Sequence, residues 1–361
     1  MKAAVLRGLH QPLSIEDVQI DKPGPDEVLV QTKAAGVCHS DLHHIDGTLP
    51  CRFPVILGHE SAGVVEQVGA NVSYVKPGDH VITSFSGFCG HCHHCLGGHM
   101  VRCSNGREMR RGKKDAPRLA AGDEPVTQFS NLSSFAEQIL TNQNCVVKIR
   151  EDMPMAQASL IGCGVTTGLG AVFHAAKVAP GSTVAVIGCG GVGLSTINGA
   201  AIAGAGRIIA VDVMDDKLEM AKTFGATDVI NAKDVNPVEA VRELSKGGVE
   251  FSFECIGNKV TAAQAFSMCG IGGVATILGV MAPDVKLEIP ALELVMEKKV
   301  QGSWMGSTRT RTDMPRFVDF YMQGKLRLDE LISKRIPLTE INEAFDDMQK
   351  GHVARSVIVF D

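Results

Sequence analysis

The sequence predicts an α/β protein of two domains, one small and rich in β-strands, the other built on a doubly wound parallel sheet. Three observations carry this. Short alternating apolar runs separated by Pro-Gly turns occupy the chain to about Gly162, strand–helix alternation follows to about Trp304, and the last strand, Ser356-Val357-Ile358-Val359-Phe360, has no place in a parallel sheet. That strand is expected to return to the first domain, so residues 1–163 and 305–361 form one domain and residues 164–304 the other. At 361 residues, each has enough chain for a full core.

Composition narrows the function classes. Apolar residues make up 45% and charged residues 21%, as in soluble globular proteins. A formal net charge of −5 leaves no basic excess to displace counterions from nucleic acid, and aromatic residues at 5% are too few for a base-stacking platform. No nucleic-acid partner is expected. The start, Met1-Lys2-Ala3-Ala4-Val5, lacks a charged leader ahead of an apolar core, which makes the cytoplasm the expected compartment. One uncharged run, Val178 to Gly206, is long enough to cross a bilayer, but its glycines and its change from β-branched to small residues fit a strand, a turn and a helix, so no membrane partner is expected. In a reducing compartment the 11 cysteines, clustered as they are, point to metal rather than disulfides.

In the first domain, Glu27-Val28-Leu29-Val30-Gln31-Thr32 and Gly63-Val64-Val65-Glu66-Gln67-Val68 read as strands, with turns at Pro23-Gly24-Pro25 and Pro77-Gly78-Asp79. Loops held between such strands position ligands with little play. One stretch here runs Gly36-Val37-Cys38-His39-Ser40-Asp41-Leu42-His43 and continues to Leu57-Gly58-His59-Glu60. A thiolate at Cys38 and an imidazole at His59 suit zinc, and Ser40, Asp41, His43 and Glu60 are residue types that orient ligands and move protons. This is half of a metal site. Taken alone, such a Cys and His more often belong to a core.

Cys89-Gly90-His91-Cys92-His93-His94-Cys95, followed by Cys103, is the strongest local motif. The spacing C-x2-C-x2-C-x7-C brings four soft thiolates around one tetrahedral ion with no open position, so a structural lobe is expected over residues 86–105. Such a site contributes on the order of 10 kcal/mol of folding free energy. An iron–sulfur cluster is the rival, although its usual spacings differ. His91, His93, His94 and His99 could replace a thiolate; solvated loop histidines are the simpler reading. Arg107, Arg110, Arg111, Lys113 and Lys114 form a basic run that is either a solvated loop or an anchor for an anionic part of a substrate.

Ile161-Gly162-Cys163-Gly164-Val165 opens a helical stretch of small residues, and the glycines beside Cys163 let backbone approach something bulky. A third thiol at a domain junction is where a metal would be completed; alone, a buried Cys is the better reading.

The second domain opens on a buried strand, Ser182-Thr183-Val184-Ala185-Val186-Ile187, followed at once by Gly188-Cys189-Gly190-Gly191-Val192-Gly193 and a helix. This is G-x-G-x-x-G in a strand–turn–helix context, with Asp212 closing the next strand, the dinucleotide-binding fingerprint of a Rossmann fold. Gly188 permits the tight turn, Gly190 lets backbone reach a pyrophosphate, and Gly193 lets helix pack on strand. The helix start then supplies amide donors to phosphate. Asp212 can accept from ribose hydroxyls but repels a 2′-phosphate, and Val213-Met214-Asp215-Asp216 supplies no arginine for one, so NAD is expected over NADP. Lys217 either adds a donor to that ribose or is a solvated helix residue. Strands at Asp228-Val229-Ile230, Phe251-Ser252-Phe253-Glu254 and Val274-Ala275-Thr276-Ile277-Leu278 complete the sheet. In the tail, Thr312-Asp313 is expected to start a helix that stops at Gly324, and Thr339 to cap another ending near Gly351.

With metal loop, four-thiolate lobe, glycine-flanked cysteine and dinucleotide fold in that order, the chain resembles the zinc-dependent alcohol dehydrogenases of the medium-chain dehydrogenase/reductase superfamily over essentially its whole length. The resemblance implies a GroES-like catalytic domain, a Rossmann coenzyme domain, and two zinc ions per chain, one catalytic and one structural. Cys38, His59 and Cys163 would hold the catalytic zinc, the Cys2His set already established for alcohol dehydrogenases. By the same resemblance Glu60 lies behind the metal, Asp41 bonds His59, Ser40 takes the alcohol proton, and His43 passes it through the cofactor ribose to solvent. His39 falls near the pyrophosphate, where many members carry arginine, and Thr167, Gly191, Val192, Leu278 and Arg355 match further cofactor contacts. Leu49 and Phe85 match pocket-lining positions.

These parts imply reversible hydride transfer from a primary or secondary alcohol to NAD, giving an aldehyde or ketone. Cys163 stands where polyol dehydrogenases carry glutamate, which disfavours sugar alcohols. Leu49 stands where members that oxidise the formaldehyde–glutathione adduct carry an acid, so that thiol-adduct activity is the alternative, kept open by the basic run. The remaining pocket positions favour a hydrophobic chain or ring. A third reading is a zinc- and NAD-binding sensor without catalysis, which would lack a ligand or relay residue. The segment between Cys103 and Phe135 resembles that of dimeric members more than that of shortened tetrameric ones, so a homo-oligomer is expected, a dimer before a tetramer.

Overall fold

The computed structural model describes residues 1–112, 114–351 and 354–361; Lys113 of the basic run lies outside the described residues. Two units emerge. One comprises Met1–Cys163 with Arg309–Gln323 and Leu328–Asp361, the other Gly164–Thr308 with Gly324–Arg327.

The first unit is built on a sheet in the order Val146–Lys148, His80–Thr83, Ser61–Val68, Glu27–Gly36, Arg355–Val359, Ile332–Ile336, with Gln138–Asn142 also paired to Glu27–Gly36. The strands near the metal loop are antiparallel, and Val357 pairs with Gly36, two residues before Cys38. A smaller sheet of Thr127–Gln128, Val55–Ile56, Lys2–Leu6 and Ser14–Asp17 accompanies it. Apolar faces of Ala3, Val5, Val37, Ile56, Phe135, Phe345 and Ile358 meet in a dry core beneath the metal loop. Arg111, one of the five residues in the basic run, is held by Asp21, the carboxylate of Glu27 at 2.6 Å and the Lys22 carbonyl, while the buried Arg118 bonds Glu27 at 2.7 Å. Arg107, Arg110 and Lys114 remain exposed.

Helix ends depart from the sequence expectation in three places. The helical run around Cys163 begins at Met155, not Ile161, because Pro154 sits in extended backbone just before it and sets the start. Thr310–Met322 starts two residues early, the Asp313 carboxylate accepting from the Arg309 amide at 2.7 Å. Thr339 is no cap: it lies inside the 3-10 turn Leu338–Glu340 that leads into helix Ile341–Gln349. The run Met155–Ala176, 22 residues, is long and apolar enough to cross a membrane, but most of it is buried inside the protein, as in a core helix. The uncharged run from Val178 resolves into strand Thr183–Ile187 and helix Gly191–Ile202.

The second unit carries six strands, all parallel, in the order Asp228–Asn231, Arg207–Asp212, Thr183–Ile187, Val249–Glu254, Cys269–Ile277, Lys299–Gly302. Numbered along the chain this is 3-2-1-4-5-6, the dinucleotide-binding order whose switch point lies at Thr183–Ile187. Gly188 follows with φ of 93°, which a side chain would strain, and a Cβ on Gly193 would lie 1.7 Å from the Gly188 carbonyl oxygen.

Candidate active site

Cys38 ends the extended segment after Glu27–Gly36 and stands at the start of the short helix His39–Ile45, which turns Ser40 and Asp41 back toward it. His59 enters from the other side, where the Asp41 carboxylate accepts both the Gly58 amide and His59 Nδ1 at 3.0 Å. Asp41 is fully buried, so this ion-paired hydrogen bond fixes the ring and leaves Nε2 to face the cysteines. Cys163 arrives on a stretch of π-helix, Ile161–Val165, a local widening frequent at functional sites. Gly162 allows it: a Cβ there would stand 3.1 Å from the Thr83 carbonyl oxygen and 3.3 Å from the Ser61 amide, in tight contact with both.

Ligand atoms of Cys38, His59 and Cys163 all lie within 4.8 Å of one another. The hydrogen bond from Cys163 holds the Cys38 thiol well below its ordinary pKa against burial, with Arg355 and His59 helping, while the same bond and burial push Cys163 well above. Burial opposes charge on His59, yet Asp41 and Cys38 outweigh it and raise its pKa well above normal. Burial also raises Glu60 to about 7 despite Arg355 at 3.6 Å, and neither Glu60 oxygen has a hydrogen-bond partner among the described residues. Two soft thiols and an oriented imidazole fit a zinc ion.

The cysteine lobe fits one as well. Cys89 and Cys95 sulfurs are 3.9 Å apart, as are those of Cys92 and Cys103, and a tetrahedron with ~2.3 Å metal–sulfur arms has edges of about 3.8 Å. Amides of Cys89 and Cys92 point at the sulfurs of Cys103 and Cys89, both at 3.3 Å. His91 bonds Glu108 at 3.0 Å on the surface.

Ser40 Oγ lies 3.3 Å from Cys38 Sγ and 3.2 Å from His59 Nε2. The His43 ring packs edge-on to His39 at 5.3 Å, and its Nδ1 is buried, 3.9 Å from Asp46 and without a hydrogen-bond partner among the described residues. Burial, reinforced by His43, lowers the His39 pKa. Arg355 is buried, bonds the Val37 carbonyl at 3.3 Å and reaches Cys38 Sγ at 3.7 Å. Phe85 stands edge-on to His59 at 5.3 Å, and Leu49 is half-buried beside His43, whose carbonyl its amide bonds. Phe129, which sequence reasoning missed, places its ring edge-on to both His59 at 5.9 Å and His44 at 4.7 Å. No local motif marks it, since it reaches the site from a distant loop.

In the second unit Gly190 and Gly191 open helix Gly191–Ile202, with Val192 in its first turn and open space where a Cβ on Gly190 would sit. Asp212 does more there than its sequence position suggests. One carboxylate oxygen accepts the Cys189 amide at 2.7 Å and the other the Val213 amide at 2.7 Å, so it also ties the glycine-rich turn to the end of the next strand. Lys217 lies in the first turn of helix Asp215–Thr223, and Leu278 follows strand Cys269–Ile277, bonding the Glu254 carbonyl. Thr167 contacts the sulfur of Met305 at 3.9 Å.

Residues 24–151 match the family described as alcohol dehydrogenase GroES-like domain, and residues 191–323 the zinc-binding dehydrogenase family. Over 99% of this chain and 96% of its partner in the comparison, the sequence is 42% identical to a probable S-(hydroxymethyl)glutathione dehydrogenase 1 of Schizosaccharomyces pombe. The chain belongs to the zinc-binding alcohol dehydrogenases. An alcohol dehydrogenase class-3 of Pisum sativum is 39% identical over 99% of this chain and 97% of its own length. The structure of a benzyl alcohol dehydrogenase from Acinetobacter calcoaceticus superposes with a TM-score of 0.94 at 35% identity, covering 100% of this chain and 99% of that one. As a zinc-dependent alcohol dehydrogenase of the medium-chain superfamily, the protein is an oxidoreductase acting on CH–OH donors. Cys38, His59 and Cys163 form its catalytic metal site, and Cys89, Cys92, Cys95 and Cys103 its structural one.

Proposed function

We propose that this dehydrogenase oxidises primary or secondary alcohols with a hydrophobic or aromatic substituent, reversibly, with NAD as hydride acceptor. The observation that carries the reading is the oriented Cys38–His59–Cys163 set flanked by Ser40 and walled by Phe85 and Phe129. Zinc, when bound, is a Lewis acid that makes an alcohol hydroxyl acidic near neutral pH, and NAD supplies the acceptor carbon for hydride. The chain's residues do the rest. Asp41 holds His59 in one orientation, Ser40 takes the alcohol proton, and His43 passes it onward. Glu60 and Arg355 balance charge behind the ligand set, and the family resemblance makes His39, Thr167, Val192, Lys217 and Leu278 cofactor contacts.

The second reading is oxidation of an S-(hydroxymethyl) thiol adduct, favoured by the names of two relatives near 40% identity. Leu49 is apolar where that substrate's carriers have an acid, and Arg111 is already committed to Glu27, which weakens the basic run as an anchor. A panel decides. Purified protein with NAD is given linear, branched and aromatic alcohols and the formaldehyde–glutathione adduct, and absorbance of the reduced nicotinamide is followed. Turnover on alcohols, fastest with aromatic ones, is expected; turnover on the adduct alone would replace this reading, and silence across the panel with zinc verified would favour a non-catalytic sensor.

Cofactor choice has its own test. Asp212→Gly removes the negative charge that a 2′-phosphate would meet, and like-charge juxtaposition costs several kcal/mol, so the kcat/KM ratio should move toward NADP by roughly tenfold or more. An unmoved ratio would mean that the acid does not read the ribose. A cytoplasmic homodimer completes the proposal: Leu292 and Val295, 72% and 79% exposed, lie just ahead of the outermost strand Lys299–Gly302, a face suited to a second copy.

A further inference from the structure

Glu254 is the last residue of Val249–Glu254, the strand beside Thr183–Ile187, and its side chain is fully buried. A charged carboxylate in that position carries a large desolvation cost unless donors meet it. Three do so at one oxygen: Oε1 accepts the Ile256 amide at 3.0 Å, the Gly257 amide at 2.8 Å and the Thr261 hydroxyl at 2.8 Å. Thr261 lies in the first turn of helix Lys259–Met268, whose dipole favours the same negative charge. The other oxygen, Oε2, has no hydrogen-bond partner among the described residues and lies against Gly279, where a Cβ would come within 2.6 Å of it.

Two loops meet at this residue, the 255–257 loop bonded by its side chain and the 278–279 loop bonded by its main-chain carbonyl and packed against Oε2. The Glu254 carbonyl accepts the Leu278 amide at 2.8 Å and the Gly279 amide at 3.1 Å, and a Cβ on Gly279 would fall 1.9 Å from the Gly257 nitrogen. On its far side Ile256 covers the glycine-rich turn, since a Cβ on Gly188 would meet Ile256 Cγ1 at 2.5 Å. Glu254 is thus the hub between the first turn of the fold and the loops after the fourth and fifth strands.

Topology says what lies over those loops. In this sheet a dinucleotide binds at the carboxyl ends of the strands, with its diphosphate at the Gly188–Gly193 turn. Asp212 takes the adenosine side, on the strand to one side of Thr183–Ile187. The other half of the dinucleotide must therefore extend over the ends of Val249–Glu254 and Cys269–Ile277. From this geometry we infer that Glu254 is a positioning residue for the nicotinamide half of the cofactor, setting the 255–257 and 278–280 loops at one height. The inference rests on the NAD reading above.

The test compares Glu254→Leu, Glu254→Gln and Thr261→Val with the parent by steady-state kinetics on NAD and alcohol, by NADH fluorescence titration and by thermal midpoint. Gln keeps the shape and an acceptor oxygen, so its KM for NAD should stay within about threefold of the parent's, whereas Leu removes the acceptor of the 255–257 amides and changes the packing against Gly279, and should raise KM for NAD and Kd for NADH by about tenfold or more, given how steeply misplacement of bound groups is penalised. Thr261→Val should fall between them. KM for alcohol and zinc content should not change in any of the three. A midpoint lowered in Glu254→Leu with KM for NAD and Kd for NADH unmoved would make Glu254 purely structural and overturn the inference; if Leu fails to fold, a Thr261→Val enzyme with a lowered midpoint and unmoved KM and Kd overturns it equally. A parent silent with NAD overturns the cofactor reading instead, which keeps the two failures apart.

Discussion

Serine in place of Cys163 abolishes alcohol oxidation while leaving cofactor binding in place. The expected fall in kcat is about a thousandfold or more, since Lewis-acid stabilisation is worth several kcal/mol and each ~1.4 kcal/mol is a factor of ten. A hydroxyl oxygen is a harder and far weaker zinc ligand than a thiolate. The rest of the site cannot make up for it: Cys38 and His59 are already fixed by Arg355 and Asp41, and Ser40 is neutral. Metal analysis should fall from about two zinc ions per chain to about one, the four-cysteine cluster being untouched. Cofactor binding is preserved because Gly188–Gly193 and Asp212 lie on a separate unit with its own core. A Cys163→Ser enzyme that turns over at the parental rate would remove Cys163 from the ligand set.

Cys103→Ala acts on the other cluster and by a different route. It leaves three thiolates where the closed site needs four, and structural zinc contributes on the order of 10 kcal/mol, comparable to the whole stability of many domains. The lobe has little else to hold it. Its base is pinned by the Arg311 guanidinium, stacked 3.7 Å over Tyr74 and 5.0 Å from Phe88, and by that arginine's bond to the Gln143 carbonyl at 2.8 Å. Beyond Phe88 no comparable core exists among the described residues, because Leu96 is 76% exposed. The lobe should therefore become the first site of proteolytic cleavage and the thermal midpoint should drop by about ten degrees or more, which is what several kcal/mol does to a domain of this size. Activity should survive at low temperature in proportion to folded protein. A variant with parental protease resistance and midpoint would show that the lobe does not depend on its metal.

Legibility in the sequence followed distance along the chain. The thiolate lobe and the glycine-rich turn are local spacings, and both stand in the structure where their spacing put them. Helix ends were less legible, because Pro154 set one start that the small residues around Cys163 concealed and a 3-10 turn absorbed Thr339. Least legible were partners from far apart: Phe129 against His59, Arg111 and Arg118 on Glu27, and the hub at Glu254. No periodicity reports these, since each depends on how loops are placed by strands that pair over long separations. Asp212 shows the same limit within one motif, its place at the end of the second strand being visible and its grip on the Cys189 amide not.

The bond between Arg355 and the Val37 carbonyl joins residues 318 apart, and strand Arg355–Val359 reaches its partner only after the second unit has been made. On a ribosome that order has consequences. Contacts so distant in sequence form late, while the parallel sheet, whose strands are near neighbours along the chain, can assemble first. Until the final strand docks, the Cys38 thiol has no guanidinium beside it and one wall of its shelter is missing. The nascent chain thus carries an unfinished, oxidisable metal centre until strand Arg355–Val359 pairs, and the rate at which that strand closes sets how long the thiol must be protected.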